Sequence, residues 1–366
     1  MTAKALRVLV VDDSAVMRQV TSQVLSRDRA IEVVLAADPL IAMEKMARAR
    51  PDVILLDLQM PRMDGLTFLR HLMATDPLPV VICSGLAGRG SREALLALEA
   101  GAVDVVEKPQ IGVRAFVEES ALALIDTLRG AAEAGHALRS RRRALSSASL
   151  LPPSLLAKPW PAGSGGASQP PAQLSLAERS RLIAIGASTG GTEAIAAVLE
   201  QLLPDCPPVV IAQHMPAGFT AAFARRLDSC CRIEVKEAED GEPLVRGRAL
   251  IAPGGRHLSL RRAPSGLCAE VTDGPVVSRH RPSVDVLLRS AAACAGSGAT
   301  GVLLTGMGED GARGLKAIRD AGGMTIAQDE ATCVVYGMPR AAVELGAACA
   351  VLPLHEIAGA LCSPAP

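Results

Sequence analysis

A short apolar run leads directly into a glycine-rich turn in the stretch Leu182-Ile183-Ala184-Ile185-Gly186-Ala187-Ser188-Thr189-Gly190-Gly191. Comparable apolar runs precede His214 and, through a second glycine-rich loop, Asp310. Short apolar runs that alternate with helical patterns predict a parallel sheet. Because the loops at the carboxyl edge of such a sheet form its binding site, we expect Ser188, His214 and Asp310 to converge there.

The composition favours two globular domains. The chain has 366 residues, more than one compact core usually holds. Lysine plus arginine equal aspartate plus glutamate, 38 against 38, and aromatic residues are scarce. This balance argues against a nucleic-acid-binding protein.

The cysteines and the amino terminus indicate the compartment. Nine cysteines are scattered along the chain without a Cys-x-x-Cys pair, which argues against a disulfide framework and indicates a reducing compartment. The amino terminus lacks the layout of a signal peptide, and no apolar run approaches the ~20 residues that span a bilayer. We therefore expect a cytoplasmic protein without direct membrane insertion.

The pattern of residues 1–130 predicts a five-stranded, doubly wound α/β domain. Its strand-like runs are Arg7–Val11, Glu32–Ala36, Val53–Asp57, Val80–Ser84 and Val103–Val106. Residues 131–178 differ in character, with an arginine-rich run at 139–143 and many prolines and glycines. Such a segment cannot bury enough apolar surface to fix one conformation, so we predict a flexible linker.

Residues 179–366 are predicted to form a larger doubly wound, mostly parallel α/β domain. The parallel strand candidates are Leu182–Ile185, Val209–Gln213, Ile233–Val235, Leu250–Ala252, Val302–Thr305, Met324–Gln328 and Ala350–Leu352. Two further runs, His257–Arg261 and Leu267–Val271, flank Pro264-Ser265-Gly266. That arrangement predicts an antiparallel hairpin inserted in the parallel pattern.

Polar residues end the predicted strands of the first domain. Asp12 and Asp13 follow the first strand, Asp57 ends the third, Ser84 ends the fourth and Lys108 follows the fifth. Crowded carboxylates repel one another, and a hard divalent cation such as Mg²⁺ relieves that repulsion. A carboxylate beside Mg²⁺ can attack a phosphoryl donor, and the ammonium and hydroxyl groups can hold the new phosphate oxygens.

This set of residues resembles the receiver domain of two-component response regulators, as does the loop Met60-Pro61-Arg62-Met63-Asp64-Gly65. The resemblance implies Asp57 as the phosphoacceptor, with Asp12 and Asp13 as its partners in binding Mg²⁺. It implies Ser84 and Lys108 as the residues that respond to phosphorylation, and a histidine kinase as the phosphodonor. Receivers often carry an aromatic residue where this chain has Val105, which puts the aromatic part of the usual switch in question.

The second domain has the residues of a hydrolase. A serine hydroxyl needs a base within hydrogen-bond reach and a carboxylate that orients the base. Ser188 fits a Gly-x-Ser-x-Gly turn, and His214 alone among six histidines follows a buried-type parallel strand. Asp310 is the best acid, with Glu309 and Asp285 as weaker candidates. The same glycine-rich turn could instead bind phosphate.

Six segments of this domain resemble the catalytic domain of the bacterial chemotaxis protein-glutamate methylesterases. They are Ile185–Gly191, Gln213–Pro216, Ala252–Leu258, Ser278–Asp285, Leu304–Gly311 and Tyr336–Pro339. The resemblance implies a Ser188-His214-Asp310 triad, with the backbone amides of Thr189 and Met307 as oxyanion donors. It implies no cofactor for the esterase step, glutamine deamidation as a second activity, and the cytoplasmic helices of methyl-accepting chemoreceptors as substrate.

Three other functions remain open at this point. The same esterase chemistry could act on a sensory protein outside chemotaxis. A nucleotide-binding protein is disfavoured because the turn lacks Gly-x-Gly-x-x-Gly and Gly-Lys-Ser/Thr patterns. A DNA-binding response regulator is disfavoured because residues 180–366 show no basic recognition helix.

For the esterase, the domain order suggests that the unphosphorylated receiver packs over the catalytic edge and blocks it.

Overall fold

The computed structural model describes residues 5–85, 89–108, 122–135, 181–264 and 266–362. The first domain alternates strands and helices along the chain. Its strands are β1 (Leu6–Val11), β2 (Ile31–Ala36), β3 (Val53–Asp57), β4 (Val80–Ser84) and β5 (Asp104–Glu107). Its helices are α1 (Ala15–Leu25), α2 (Pro39–Arg48), α3 (Gly65–Thr75), α4 (Arg89–Glu99) and α5, described over residues 122–135.

The first sheet is parallel, with strand order β2-β1-β3-β4-β5. Its central strands β3 and β4 are buried along their whole length, as their continuous apolar sequences require. The side chains of Ser14, Asp38 and Asp64 cap α1, α2 and α3 by accepting a backbone N–H of the first turn. The predicted five-stranded doubly wound domain is confirmed.

The second domain contains a seven-stranded sheet and a separate hairpin. Its strands are β6 (Leu182–Ala187), β7 (Val209–Gln213), β8 (Glu234–Glu237), β9 (Arg248–Ile251), β10 (His257–Ala263), β11 (Gly266–Thr272), β12 (Ala299–Leu303), β13 (Met324–Gln328) and β14 (Ala350–Leu352). Its α-helices are α6 (Gly191–Leu199), α7 (Thr220–Cys230), α8 (Val284–Ala295), α9 (Ala312–Asp320), α10 (Met338–Glu344) and α11 (Leu354–Cys362).

The large sheet is parallel throughout, in the order β14-β13-β12-β6-β7-β9-β8. Strands β10 and β11 pair antiparallel, which confirms the predicted hairpin. The largest difference from the predicted strands is at β12, which begins at Ala299 rather than at Val302. Because β6 lies between β12 and β7, the loops after these three neighbouring strands meet at one carboxyl edge.

The predicted boundary between the first domain and the linker lies inside a helix. Helix α5 continues to residue 135, and Ala131 and Ala132 are buried in the first domain's core. The linker therefore cannot begin at residue 131. Small residues in this segment gave little apolar periodicity, although they pack closely. The remaining linker residues, including the arginine run at 139–143, lie outside the described residues.

The first domain contacts helix α7 of the second through α4, and loops at the carboxyl edge of the second sheet through α5. Glu99 at the end of α4 pairs with Arg226 of α7 at 2.8 Å, and Asp126 of α5 pairs with Arg279 at 2.9 Å. Gly130 of α5 lies directly against Met307. The face of the first domain that includes α5 therefore covers the loops after the strands of the second sheet.

Two expectations of a general kind can be compared with the structure. All nine cysteines are free, as expected from their scattered spacing. Across the described residues, no helix combines the length and apolar character needed to cross a bilayer.

Candidate active site

The structure brings Ser188, His214 and Asp310 into one hydrogen-bonded chain. The Ser188 Oγ lies 3.1 Å from His214 Nδ1, and His214 Nε2 lies 2.9 Å from Asp310 Oδ2. All three residues follow neighbouring strands of the large sheet, as the sequence predicts. Ser188 exposes only 7% of its surface, and Asp310 only 2%. The arrangement has the parts of a nucleophile, a base and an orienting acid in the correct order.

The turn after β6 holds Ser188 at the sheet edge. Its carbonyl accepts the backbone N–H of Gly191 at 2.7 Å and the side-chain amide of Gln213 at 2.9 Å. Gly190 has a φ of +75°, a left-handed conformation that glycine adopts without strain and that starts α6. The serine backbone is therefore fixed from both sides before any substrate binds.

The loop after β12 approaches Ser188 closely because it carries a glycine. A Cβ atom built on Gly306 would lie 2.7 Å from the Cβ of Ser188, closer than real side-chain contacts allow. The Ser188 N–H donates to the carbonyl of Thr305 at 3.0 Å, which ties the two loops together. Any larger residue at position 306 would push Met307 away from the serine.

Asp310 is held by the start of α8 as well as by the histidine. Its carboxylate accepts the Ser283 hydroxyl at 2.9 Å, the Val284 N–H at 2.7 Å and the Asp285 N–H at 3.1 Å. Burial alone would raise the pKa of Asp310, but the bond to His214 and the two amides outweigh burial and lower the pKa to about 2. The carboxylate therefore stays ionised and fixed in position.

The two weaker acid candidates serve elsewhere. The Asp285 carboxylate accepts the Gly314 N–H at 2.7 Å and pairs with Arg289 at 3.2 Å, so it joins α8 to α9. Glu309 is exposed and lies 3.9 Å from Arg313. Neither side chain contacts His214 in the described residues, so the choice of Asp310 agrees with the geometry.

His280 contacts the catalytic group, and the sequence analysis missed it. Its ring stacks on His214, with the ring centroids 3.6 Å apart and an angle of 10° between the planes. Burial, followed by the neighbouring His214, lowers the pKa of His280 well below its ordinary range. A neutral ring in this place packs the face of the base and keeps it aligned with Ser188 and Asp310.

A strained turn presents His280. Val277 and His280 exchange two backbone hydrogen bonds of 3.2 and 2.9 Å, and the residues between them, Ser278 and Arg279, have φ values of +51° and +67°. This is the backbone of a two-residue hairpin turn, which normally takes Asn-Gly. Left-handed backbone costs about 1 kcal/mol or more at each such residue, and such strain concentrates at functional sites. No sequence pattern indicated the turn, because neither residue favours the left-handed backbone that it requires.

The two residues expected to donate to an oxyanion lie beside the serine. Thr189 and Met307 line a pocket of about 310 Å³ together with Ser188, Arg279 and His280. The first domain adds Asp126 and Thr127 to the same lining. A Cβ atom on Gly130 would lie 3.3 Å from Met307 and 3.5 Å from the Thr189 hydroxyl. Helix α5 therefore closes the pocket against a large substrate.

A buried carboxyl group of the first domain also reaches this site. Asp104, the first residue of β5, accepts a hydrogen bond from the Thr189 side chain and lies near His214. Burial raises the pKa of Asp104 to about 6, and the Val105 N–H and the Thr189 hydroxyl offset only part of that effect. The contact joins a strand of the first sheet to a residue expected to act in catalysis.

The acidic residues of the first domain converge as predicted. Carboxylate oxygens of Asp12, Asp13 and Asp57 all lie within 4.8 Å of one another. Lys108 Nζ lies 2.7 Å from Asp57 Oδ2 and 3.1 Å from Asp12 Oδ2. Ser84 is buried at the same edge, and its carbonyl accepts the Lys108 N–H at 2.9 Å.

The electrostatics of this cluster fit a hard divalent cation. Burial raises the pKa of Asp57, although the hydrogen bond and charge of Lys108 act in the opposite direction. Burial would lower the pKa of Lys108, but its bonds to Asp57 and Asp12 outweigh burial and raise it. One ammonium group therefore balances only part of three carboxylates, and the oxygen-only donor set is the kind that Mg²⁺ prefers.

The remaining site-related residues have structural surroundings. Val105, at the position where receivers often carry an aromatic residue, is buried in the core. His257 bonds to the Pro275 carbonyl at 2.8 Å through Nε2 and to the Ser283 N–H at 3.2 Å through Nδ1. It supports the segment that holds Asp310 rather than contacting Ser188.

Comparisons with known proteins cover both domains. The chain matches the family descriptions "Response regulator receiver domain" over residues 8–117 and "CheB methylesterase" over residues 183–361. It is 56% identical over 357 residues to "Protein-glutamate methylesterase/protein-glutamine glutaminase 1" of Anaeromyxobacter dehalogenans, covering 97% of this chain and 98% of that protein. It is 51% identical over 356 residues to "Protein-glutamate methylesterase/protein-glutamine glutaminase 3" of Geobacter metallireducens, with coverage of 97% and 98%.

Solved structures similar to the second domain include a methylesterase catalytic domain. The catalytic domain of the Thermotoga maritima CheB methylesterase is 41% identical and has a TM-score of 0.49. The match covers 50% of this chain and 96% of that one.

Proposed function

The chain belongs to the protein-glutamate methylesterase/protein-glutamine glutaminase family, and on that premise we propose that it is a phosphorylation-controlled carboxyl-ester hydrolase. Its substrates are γ-methyl esters of glutamate on chemoreceptors. The observation that carries the proposal is the continuous chain of contacts from Ser188 through His214 to Asp310. Nearly full-length relatives with both domains favour this function over esterase action on a sensor outside chemotaxis.

The first half-reaction transfers the acyl group to the enzyme. His214 Nδ1 accepts the proton of Ser188 as Oγ attacks the ester carbonyl carbon. Asp310, ionised and held by three donors, stabilises the positive charge on the ring. The amides of Thr189 and Met307 stabilise the oxyanion, each by roughly 10²–10³ in rate. The C–OCH₃ bond then breaks, and methanol leaves with the proton from His214.

Water completes the reaction. It attacks the acyl-serine while His214 takes one of its protons, and the C–Oγ bond breaks as that proton returns to Ser188. The product is a glutamate side chain. A glutamine side chain enters the same sequence with ammonia as the leaving group, which accounts for deamidation as a second activity. Neither pathway uses a cofactor at the esterase step.

The first domain supplies control. Asp57 is the phosphoacceptor, and Asp12, Asp13 and Asp57 would hold Mg²⁺, which neutralises their mutual repulsion and the charge of the incoming phosphoryl group. Ser84 and Lys108 would hold the new phosphate oxygens. A histidine kinase is the phosphodonor. We assign residues 1–135 to the receiver, residues 136–178 to a linker and residues 179–366 to the catalytic domain. We also place the enzyme in the cytoplasm.

Inhibition before phosphorylation follows from the contacts of α5 and β5. Asp126, Gly130 and Asp104 lie on or beside the pocket residues. A receptor helix cannot reach Ser188 while they are in place. Phosphorylation acts by making this closed arrangement less stable than an open one.

Methanol release from a methylated chemoreceptor fragment tests the proposal. We expect Ser188→Ala to lower release at least about 10⁴-fold. Asp57→Asn should lose only the increase that a small phosphodonor with Mg²⁺ gives to the wild type. Full activity of Ser188→Ala would exclude the mechanism, whereas a phosphodonor response in Asp57→Asn would exclude only the assigned phosphoacceptor.

A further inference from the structure

Arg279 has a position that the ester chemistry does not require. It occupies the second left-handed position of the strained turn between Val277 and His280. The same turn places its neighbour His280 on the face of the catalytic ring. Arg279 lines the pocket, and its guanidinium group contacts Asp126, which lines the same pocket.

The present partner of Arg279 comes from the other domain. Its Nη1 lies 2.9 Å from Asp126 Oδ2, and the arginine side chain is still 63% exposed. Within the described part of the catalytic domain, no carboxylate lies at ion-pair distance from Arg279. Glu309 lines the same pocket, but its carboxylate lies 3.9 Å from the guanidinium group of Arg313. When the receiver withdraws, Arg279 is left as a cation at the entrance, without a partner there.

The element that brings Asp126 is a helix, and it lies along the pocket. Asp126 and Gly130 are four residues apart, so they are on the same face of α5. Asp126 contacts Arg279 at one end of the pocket, while Gly130 contacts Met307 and Thr189 beside the serine. A substrate helix whose reactive residue approached Ser188 would present its own next turn to Arg279.

We propose that Arg279 is a specificity-determining residue that binds a carboxylate about one helical turn from the scissile ester, and that Asp126 occupies this subsite in the closed state. The inference rests on the function proposed above. Arginine suits the task because its planar, permanently charged fork recognises carboxylates with defined geometry. The receiver then inhibits in two ways. It covers the pocket sterically, and Asp126 of α5 binds Arg279 in place of a substrate carboxylate.

Two synthetic helical peptides test the subsite with the full-length protein. Each carries one γ-methyl glutamate, and four residues away one has glutamate and the other glutamine. Methanol release gives kcat/KM for each peptide. We expect the wild type, activated by phosphodonor and Mg²⁺, to prefer the acidic peptide by about threefold or more at low salt, as suits a partly exposed ion pair. High salt should reduce the preference.

Substitutions at position 279 should change the ratio of the two rates. Arg279→Ala should bring the ratio to about one, and Arg279→Lys should retain part of the preference because it keeps the charge. Arg279→Glu should favour a third peptide with lysine at the flanking position. An unchanged ratio in both Arg279→Ala and Arg279→Glu would overturn the proposal, even if these variants are slower, because each ratio is measured within one protein.

The shared subsite has a second consequence. Without phosphodonor, an acidic peptide that lacks the ester should inhibit Asp126→Asn more strongly than wild type. In this variant the carboxylate of the peptide no longer competes with Asp126 for Arg279. The same gain should be absent when Asp126→Asn is combined with Arg279→Ala. Glu99→Gln is the matched control, since it breaks an interdomain ion pair outside the pocket lining. Equal gains in Asp126→Asn and in the double variant would overturn the proposal.

The outcomes separate this inference from the function on which it rests. If wild type releases no methanol from either peptide or from methylated receptor fragment, the esterase function fails. If wild type hydrolyses both peptides at equal rates, the esterase stands and the carboxylate subsite is wrong.

Discussion

Two buried aspartates at the carboxyl edges of the two sheets have opposite surroundings. Asp57 exposes 3% of its surface and Asp310 exposes 2%. Burial raises the pKa of Asp57, which lies beside two other acids and one lysine. The pKa of Asp310 is instead lowered to about 2, because the imidazole of His214 and two backbone amides bond to it and outweigh burial. The same residue type at the same place in a fold can therefore be left reactive or made inert.

The difference suits the two tasks. A phosphoacceptor must react. The surroundings of Asp57 stabilise its negative charge only in part, so a bound cation and a phosphoryl group stabilise it further. An orienting acid must not react, and the carboxylate oxygens of Asp310 already accept hydrogen bonds from its neighbours. The second difference is access: Asp13 of the first cluster is exposed, whereas the serine of the second is covered by α5.

The largest effect should come from neutralising Asp310, with Asp57 as the comparison. Asp310→Asn keeps the shape but removes the charge that stabilises the protonated His214 ring, so we expect a loss of about 10⁴-fold in kcat for ester hydrolysis. Asp57→Asn is the matched control at the other sheet edge and should retain ester hydrolysis. Comparable losses in the two variants, measured as methanol release without phosphodonor, would remove the contrast between the sites.

A substitution in α5 should show that the second site is limited by access. In Gly130→Leu, the new side chain has no room against Met307 and Thr189. Overpacking destabilises by about 1–3 kcal/mol, so the closed arrangement should weaken and basal methanol release should rise about tenfold. The phosphodonor response should shrink correspondingly.

Gly359→Leu provides the control for that variant. Gly359 also lies in a helix, but a Cβ atom there would meet nothing within 4 Å. We expect its basal rate to match the wild type. A decrease in the basal rate of Gly130→Leu, with normal thermal unfolding, would argue that α5 supports the active site rather than covering it.

Asp104 should make the closed arrangement depend on pH. Its pKa is raised by burial to about 6, whereas an aspartate freed by domain opening should return towards its usual value of about 3.9. The closed form therefore binds this proton more tightly. Its advantage is greatest below pH ~4, falls as pH rises through the range of about 4 to 6, and is gone above that range.

Asp104→Asn removes this titration. At pH 7 the variant buries no charge, so the closed form should be more stable and basal methanol release should fall severalfold. The pH dependence of the domain equilibrium, followed by protease sensitivity of the linker between pH 4 and 7, should flatten. A steeper profile in the variant would contradict the assignment of this proton to Asp104.

The smallest effect should come from the peripheral ion pair. Glu99 and Arg226 lie 2.8 Å apart, but their side chains are 44% and 21% exposed. Such pairs contribute roughly 0.2–1 kcal/mol, so Glu99→Gln should raise basal release by less than about fivefold. A rise as large as that of Gly130→Leu would move the main closing contact from α5 to α4.

The sequence was sufficient for the fold and for the residues that end strands. Continuous apolar runs such as Val209–Gln213 placed His214, and the glycine-rich turns placed Ser188 and Asp310. Strand ends have a fixed location in a parallel sheet, so residues far apart in sequence could be brought together by topology alone.

Residues that depend on irregular backbone or on domain contact could not be found in this way. His280 reaches the ring of His214 through a turn built from Ser278 and Arg279, neither of which favours left-handed backbone. Ser283 holds Asp310 from a helix cap, a role that many serines share. Gly130 matters only because another domain lies against it, and no local pattern carries that information.

The orientation of the His214 ring determines which of its two nitrogens carries no hydrogen in the resting enzyme. Nδ1 faces the hydroxyl of Ser188 and must accept from it, so the hydrogen sits on Nε2, from which it is donated to Asp310. In the chymotrypsin-type arrangement the two nitrogens have the reverse assignment. Nitrogen-15 spectra of the resting enzyme should thus show a pyridine-type Nδ1 and a pyrrole-type Nε2.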